Sequence, residues 1–168
     1  MERLGLALPS EAQWENGCRA GTGSVYWSGD EKEALQGVAN LSDQYGKDNG
    51  NQSWTLWEPW LDDGSTVHNR VGSYAANGFG LHDVHGNVWE WCLDGYDSGA
   101  YRGDRPPDPV VPWEGSANRV YRGGGFYNAA VNARSALRIS NTPEFRGNAL
   151  GLRPARASRL ATSRPHPR

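Results

Sequence analysis

The chemistry-bearing residues of this chain concentrate in two short stretches: Gly86-Asn87-Val88-Trp89-Glu90-Trp91 and Arg119-Val120-Tyr121-Arg122-Gly123-Gly124. A glutamate bracketed by two tryptophans and entered through Gly-Asn suits a buried loop that presents oxygens to a metal or to an arginine. Neither stretch has the period of a simple amphipathic element. His82, His85 and Glu90 invite comparison with an imidazole-carboxylate iron set, but a His-x-x-His pair on an extended segment points its rings to opposite faces, so satisfied structural histidines are expected. Cys18 and Cys92 are the only cysteines. They lack metal-knuckle spacing and are too few for a disulfide framework, which leaves buried free thiols. Gly123-Gly124-Gly125 is too short a pattern to define a phosphate cradle, and no serine-nucleophile motif is present.

These residues need a scaffold, and its composition points to loops. The chain has 168 residues, 8 Trp and 7 Tyr, enough to build the core of one domain, while 22 Gly and 10 Pro favour turns over a helical bundle. Pro9-Ser10-Glu11-Ala12-Gln13 carries a capping box that predicts a helix over about 11–19, stopping near Gly21. Strands are expected at Val88–Cys92, Arg119–Gly123 and Ala149–Arg153. Ala129–Arg138 reads as a helical turn or a strand, and Asn141-Thr142-Pro143 as a turn. Residues 22–78, with Trp54, Trp57 and Trp60 on a Pro59-interrupted segment, read as ordered loop. From about 157 onward a flexible basic tail is expected.

The net charge of -2 conceals a split. Residues 119–168 hold ten Arg and one acid, Glu144, a balance of +9 against -11 for the remainder. Because these arginines are interleaved with Gly, Asn and apolar residues, the expected partner is the acidic part of the same chain, with only Arg159, Arg164 and Arg168 left free. Nucleic-acid binding is not expected. No apolar run is long enough to span a membrane.

Together, Leu8-Pro9-Ser10-Glu11-Ala12-Gln13-Trp14-Glu15, Cys18-Arg19-Ala20-Gly21, the run from Gly78 to Trp91, the Arg119–Gly124 motif and Gly151-Leu152-Arg153 resemble the formylglycine-generating enzyme, or sulfatase-modifying factor, family. The resemblance implies an α+β, C-type-lectin-like fold with little regular secondary structure over residues 1–156. It also implies that the family domain has roughly another hundred residues before the capped helix, so that the N-terminal part is expected to be missing here. Family members hold calcium with loop oxygens. The matching positions are Asp83, Gly86, Val88 and Glu90 for one site, and Asn40, Leu41, Asp63 and Ser65 for a second, with Asp62 as an alternative to Asp63. The competing role for Glu90 is capping backbone N–H groups or pairing with a core arginine.

The family enzyme oxidises a cysteine with oxygen and a copper ion held by two thiolates, a soft-ligand site suited to Cu(I). The resemblance places those thiols after the Gly-Gly motif, where this chain reads Gly125-Phe126-Tyr127-Asn128-Ala129-Ala130-Val131-Asn132-Ala133-Arg134, without cysteine. Copper is therefore not expected, and a non-catalytic calcium-stabilised binding or structural module is. An alternative is an oxidoreductase with a relocated active site. A further branch sharing the fold, the bacterial variable proteins of diversity-generating retroelements, uses a similar C-terminal segment to bind ligands. By that likeness Tyr121, Phe126, Tyr127, Leu137, Ile139 and Phe145 would face a protein or peptide ligand.

Overall fold

The computed structural model describes residues 2–50, 53–104 and 106–156. The residues expected to form the basic tail, with Arg159, Arg164 and Arg168, lie outside the described set. In chain order the elements are β1 (Leu6–Ala7), α1 (Glu11–Arg19), α2 (Gln44–Asn49), β2 (Trp89–Gly95), β3 (Arg119–Arg122), β4 (Ile139–Asn141), β5 (Leu150–Leu152) and β6 (Ala155–Arg156). Single turns of 3-10 helix at Glu2–Leu4, Lys32–Leu35, Trp113–Gly115 and Ala130–Ala133 complete the set. Four strands form one sheet in the order β4-β3-β2-β5, with β5 parallel to β2 and the other neighbours antiparallel; β1 and β6 make a separate antiparallel pair. Among the described residues, no helix is long and apolar enough to cross a membrane.

The capping box holds α1 as its spacing predicts: Ser10 Oγ accepts from the Gln13 N–H, and Gln13 Oε1 accepts from the Ser10 N–H. The helix closes on Ala20 in the left-handed conformation. The expected loop at 22–78 needs correction, because it contains α2. That helix has no apolar period; it exists because Asp43 caps the Gly46 N–H at 2.7 Å and because Gly46, lacking a side chain, lets the Trp54 ring pack directly against it. The expected strands all form, and the segment after Ala129 takes a 3-10 turn before β4 begins.

Two small apolar clusters make the core. Tyr26, Leu35, Val38, Ala39, Leu41, Leu61, Ala130 and Ala133 form one, and Trp14, Cys18, Val84, Cys92 and Val120 the other, with Trp27 packed against both. Between these clusters the loops are tied by buried polar side chains in place of a strand ladder. Asn77 accepts from the Phe79 and Leu81 N–H groups and donates to the Gly17 and Cys18 carbonyls. Glu58 accepts from the Ala130 N–H, from Trp60 Nε1 and from Lys32 Nζ.

The acidic and basic parts of the chain meet in the interior. Glu11, fully buried on α1, receives a fork from Arg138, with Nε and Nη2 at 2.6 and 2.7 Å. Arg138 is itself flanked by the rings of Tyr96 and Tyr101 at 5.0 and 4.9 Å. Arg122, also fully buried, lies with Nε 3.3 Å from Glu11 Oε1, donates to Glu15 and to the Leu137 carbonyl, and rests over the Trp14 ring. Asp94 accepts from the Glu11 and Val111 N–H groups, which anchors the long loop after β2 to the start of α1.

His85 is a core histidine. Its Nε2 accepts from the Trp27 N–H at 3.1 Å, and the ring bonds to the backbone of Ala133. Burial pulls its pKa from 6.5 down to about 4. A depressed imidazole pKa means that the unfolded chain binds the extra proton first, so this contribution is intact above about pH 6.5 and is lost as pH falls towards 4. The loss amounts to roughly 3 kcal/mol at the acid end. Urea melts of wild type and His85→Gln across this range are expected to differ in slope, with the variant shallower. Parallel slopes would contradict the assignment.

Candidate functional site

Gly86 organises the two loops that carry the candidate metal ligands. It bridges to Asn40, its N–H donates to the Gly123 carbonyl, and the Asn87 N–H donates to the Asn40 carbonyl at 2.8 Å. A Cβ on Gly86 would stand 2.1 Å from Asn40 O, and the residue has φ +77°. The crossing therefore brings the 83–90 loop and the 40–41 loop into direct contact.

In the first set, Asp83 is buried at a positive φ of 57°; its Oδ2 accepts from the Gly72 N–H at 2.6 Å, while Oδ1 is buried without a donor. Glu90, on β2, accepts Trp14 Nε1 at 2.7 Å and a fork from Arg153, Nε at 2.9 Å and Nη2 at 2.8 Å. The same guanidinium donates to the His82 carbonyl. Pairing with an arginine is thus realised at Glu90, and burial still pushes its carboxyl upward against the pull of Arg153. A cavity of about 420 Å³ opens here, with Asp83, Val88, Glu90 and Arg153 in its wall.

In the second set, Asp63 accepts from the Leu41 N–H at 2.8 Å and the Ser65 N–H at 2.9 Å, and its own N–H donates to Asp43. Asp62 is exposed, its carboxylate accepts from the Gly64 N–H and its carbonyl from Gln36, so the geometry brings Asp63, and not Asp62, to Asn40, Leu41 and Ser65. Asn40 donates to the Val67 carbonyl, but its Oδ1 is buried with no donor. Burial pushes the Asp63 carboxyl up to about 7, and the nearby Asp43 adds to the push. Among the described residues no three His, Cys, Asp or Glu side chains form a metal-binding group. The sets instead offer carboxylate oxygens, from Asp83 and Glu90 in the first and from Asp63 beside the Asn40 amide in the second, together with backbone oxygens, the donor chemistry of a hard cation. The orphaned Asp83 Oδ1 and Asn40 Oδ1 fit such an ion, because a buried acceptor without a partner is costly.

The C-terminal face is less open than its residue types imply. Tyr121 and Phe126 are 9% and 5% exposed. Tyr121 is packed edge-on by Trp89 and Trp91, each at 5.2 Å, and stacked by Phe145. Leu137 and Ile139 are half-buried, which leaves Tyr127 and Phe145, at 42% and 41%, as the large rings available to a ligand. Asn128, which residue patterning did not single out, is the anchor of this segment: its Oδ1 accepts from Trp89 Nε1 and the Gly125 N–H, and its carbonyl accepts from the Ser42 N–H. An Asn three residues after a glycine turn was the available signal. Cys18 and Cys92 are buried in the core, where desolvation holds the Cys18 thiol at about 12 and raises Cys92 as well.

This geometry, a short four-stranded sheet carrying loops pinned by buried Asn, Asp and Arg, defines a C-type-lectin-like domain of the formylglycine-generating enzyme type. The family model for the sulfatase-modifying factor enzyme 1-like domain matches residues 2–158, and the chain belongs to that family. It is 34% identical to the formylglycine-generating enzyme of Streptomyces coelicolor, over 94% of this chain and 49% of the enzyme. It is 32% identical to the serine/threonine-protein kinase pkn1 of Chlamydia pneumoniae, over 92% of this chain and 22% of that protein. Among solved structures, Treponema denticola variable protein 1 superposes with a TM-score of 0.71 at 26% identity, covering 89% of this chain and 46% of that one. PvdO from Pseudomonas aeruginosa gives 0.69 at 26% identity, covering 89% and 51%. The chain spans about half the length of the formylglycine-generating enzyme it matches.

The crossing at Gly86 yields a test with an internal control. Gly80 has the same φ, +77°, but nothing within 4 Å of its would-be Cβ. Gly80→Ala is expected to cost about 1 kcal/mol from backbone strain. Gly86→Ala adds a clash with Asn40 and should exceed it by at least about 2 kcal/mol in denaturant unfolding. Equal costs would show that the two loops are not in contact.

Proposed function

We propose that this chain is a non-catalytic, calcium-stabilised binding module of its family. The observation that carries the reading is the stretch 125–134, which contains no cysteine where the family's copper thiolates are expected. The two cysteines elsewhere lie outside that stretch, buried in the core, where desolvation raises both thiol pKa values and disfavours a free thiolate. A competition assay with a cuprous chelator, followed by incubation with a cysteine-containing sulfatase peptide and oxygen, tests it. No stoichiometric copper binding and no loss of the peptide thiol are expected. A tight one-to-one cuprous complex that turns over the peptide would overturn the reading.

Calcium is proposed at both loop sets, held by Asp83 with Gly86 and Val88 and by Asn40, Leu41, Asp63 and Ser65, while Glu90, whose two carboxylate oxygens accept from Arg153 and Trp14, stays paired with the arginine. When bound, the ion would supply positive charge to Asp83 Oδ1 and Asn40 Oδ1, which otherwise lie buried without a donor. Calcium at about 100 times its Kd would add about 2.7 kcal/mol, so EDTA is expected to lower the melting temperature by roughly 5–10 °C. In Asp63→Ala and Asp83→Ala the response should shrink. A melting curve of the wild type that is indifferent to EDTA would exclude the metal.

A second reading, a diversified ligand-binding protein, is favoured by the likeness to Treponema denticola variable protein 1 together with the exposure of Tyr127 and Phe145. Sequencing the locus in near-identical isolates decides it. Substitutions confined to adenine-containing codons on the 121–149 face support the reading, and their even spread along the gene contradicts it.

A further inference from the structure

We propose that the cleft between residues 53–56 and residues 127–132 is a binding site for a neutral saccharide ring. The inference rests on the binding-module reading and names a ligand class for it. The cleft has a volume of about 260 Å³ and is walled by Trp54, Thr55, Leu56, Tyr127, Asn128 and Asn132, with Ser53 and Ala129 completing it. Among the described residues no charged side chain lines it. An ionic ligand would meet no counter-charge there, which leaves neutral molecules that carry both hydrogen-bonding groups and an apolar face.

The polar groups in this wall are positioned and available. Asn128 Oδ1 is fixed by two donors, Trp89 Nε1 at 2.8 Å and the Gly125 N–H at 3.0 Å, so the amide plane is set and Nδ2 remains for a ligand. The Asn132 amide, the Thr55 hydroxyl and the Tyr127 hydroxyl have no hydrogen-bond partner among the described residues. The Tyr127 ring is held edge-on by the buried Phe126 at 5.4 Å while 42% of the residue stays exposed. It therefore offers a rigid apolar face beside a polar rim at small entropic cost. Leu56, at 71% exposed, extends the apolar lip on the other side.

A sugar ring matches this set: its C–H face covers an aromatic ring, and its hydroxyls both donate and accept, which amide and hydroxyl side chains require. An extended peptide is a poorer match, because peptide capture by strand addition needs an open strand edge. This wall consists of a loop and the Ala130–Ala133 turn. The cleft is also built from residues other than the two calcium sets, so sugar binding here needs no metal bridge.

The test uses the full chain and ligand-observed and amide-shift NMR with glucose, galactose, mannose and N-acetylglucosamine, with sorbitol as an open-chain control. At least one cyclic sugar is expected to give saturable shifts confined to residues 53–56 and 127–132, with a Kd in the range of about 1 mM that is unchanged by about 0.5 M salt. Tyr127→Ala and Asn132→Ala should each weaken it at least about tenfold, with Thr55→Val as a milder variant that keeps the side-chain shape. Tyr127 is exposed and Asn132 half-buried, and the amide spectra of both alanine variants report folding directly. No saturable shift up to about 50 mM, or shifts that persist in both variants, overturns the proposal. Binding of a peptide at this cleft with no response to any sugar also overturns it while leaving the binding-module reading intact. Copper-dependent turnover would remove that underlying reading instead.

Discussion

One guanidinium determines how this chain holds together: Arg122, fully buried, set between Glu11 and Glu15 of α1 and lying over the Trp14 ring. It sits at the end of β3, in register with Glu90 across the sheet. The sheet, the capped helix and the loop that follows the Gly-Gly motif therefore converge on a single buried charge. Arg138 and Arg153 repeat the arrangement on either side, each forking a carboxylate from the acidic part of the chain before residue 119. With apolar clusters as small as these, the fold depends on the pairing of charges that are far apart in sequence. Taking such charges out of water is costly unless geometry and hydrogen bonds are complete, and that cost falls hardest on a chain with few compensating contacts.

Much of this was legible in the sequence where the signal was local or compositional. The Ser10–Gln13 box specified α1 because capping is decided by side chains three residues apart. The charge split between the two parts specified that they would meet. Helix α2 was illegible, since its stability comes from Asp43 and from the approach of Trp54 to Gly46, a contact that no period in the residues announces. The partners of Glu90 were narrowed to a metal or an arginine; choosing the arginine required Arg153, sixty-three residues away, to be in place.

The ligand face shows the same division. The likeness to the variable proteins singled out Tyr121, Phe126, Tyr127, Leu137, Ile139 and Phe145; of these, Tyr121 stacks with Phe145 and Phe126 packs edge-on against Tyr127. Which of them face solvent depends on Trp89 and Trp91 flanking Tyr121 from β2, information held in sheet register rather than in residue type. Asn128 escaped notice for a related reason: its role is to fix the backbone of the segment from within, and an asparagine in a Gly-rich loop resembles any other turn residue until its two donors are visible. The cleft beside it follows from that fixation.

The dependence on Arg122 is most directly measured by comparing Arg122→Met with the variant that also carries Glu11→Gln and Glu15→Gln. A buried ion pair broken on one side leaves uncompensated charge, so Arg122→Met alone should cost about 3–5 kcal/mol of unfolding free energy. Neutralising the two glutamates in the same chain should then cost at least about 1 kcal/mol less than the separate losses added together. A loss below about 1 kcal/mol for Arg122→Met, or strict additivity, would contradict the view that this charge cluster holds the fold.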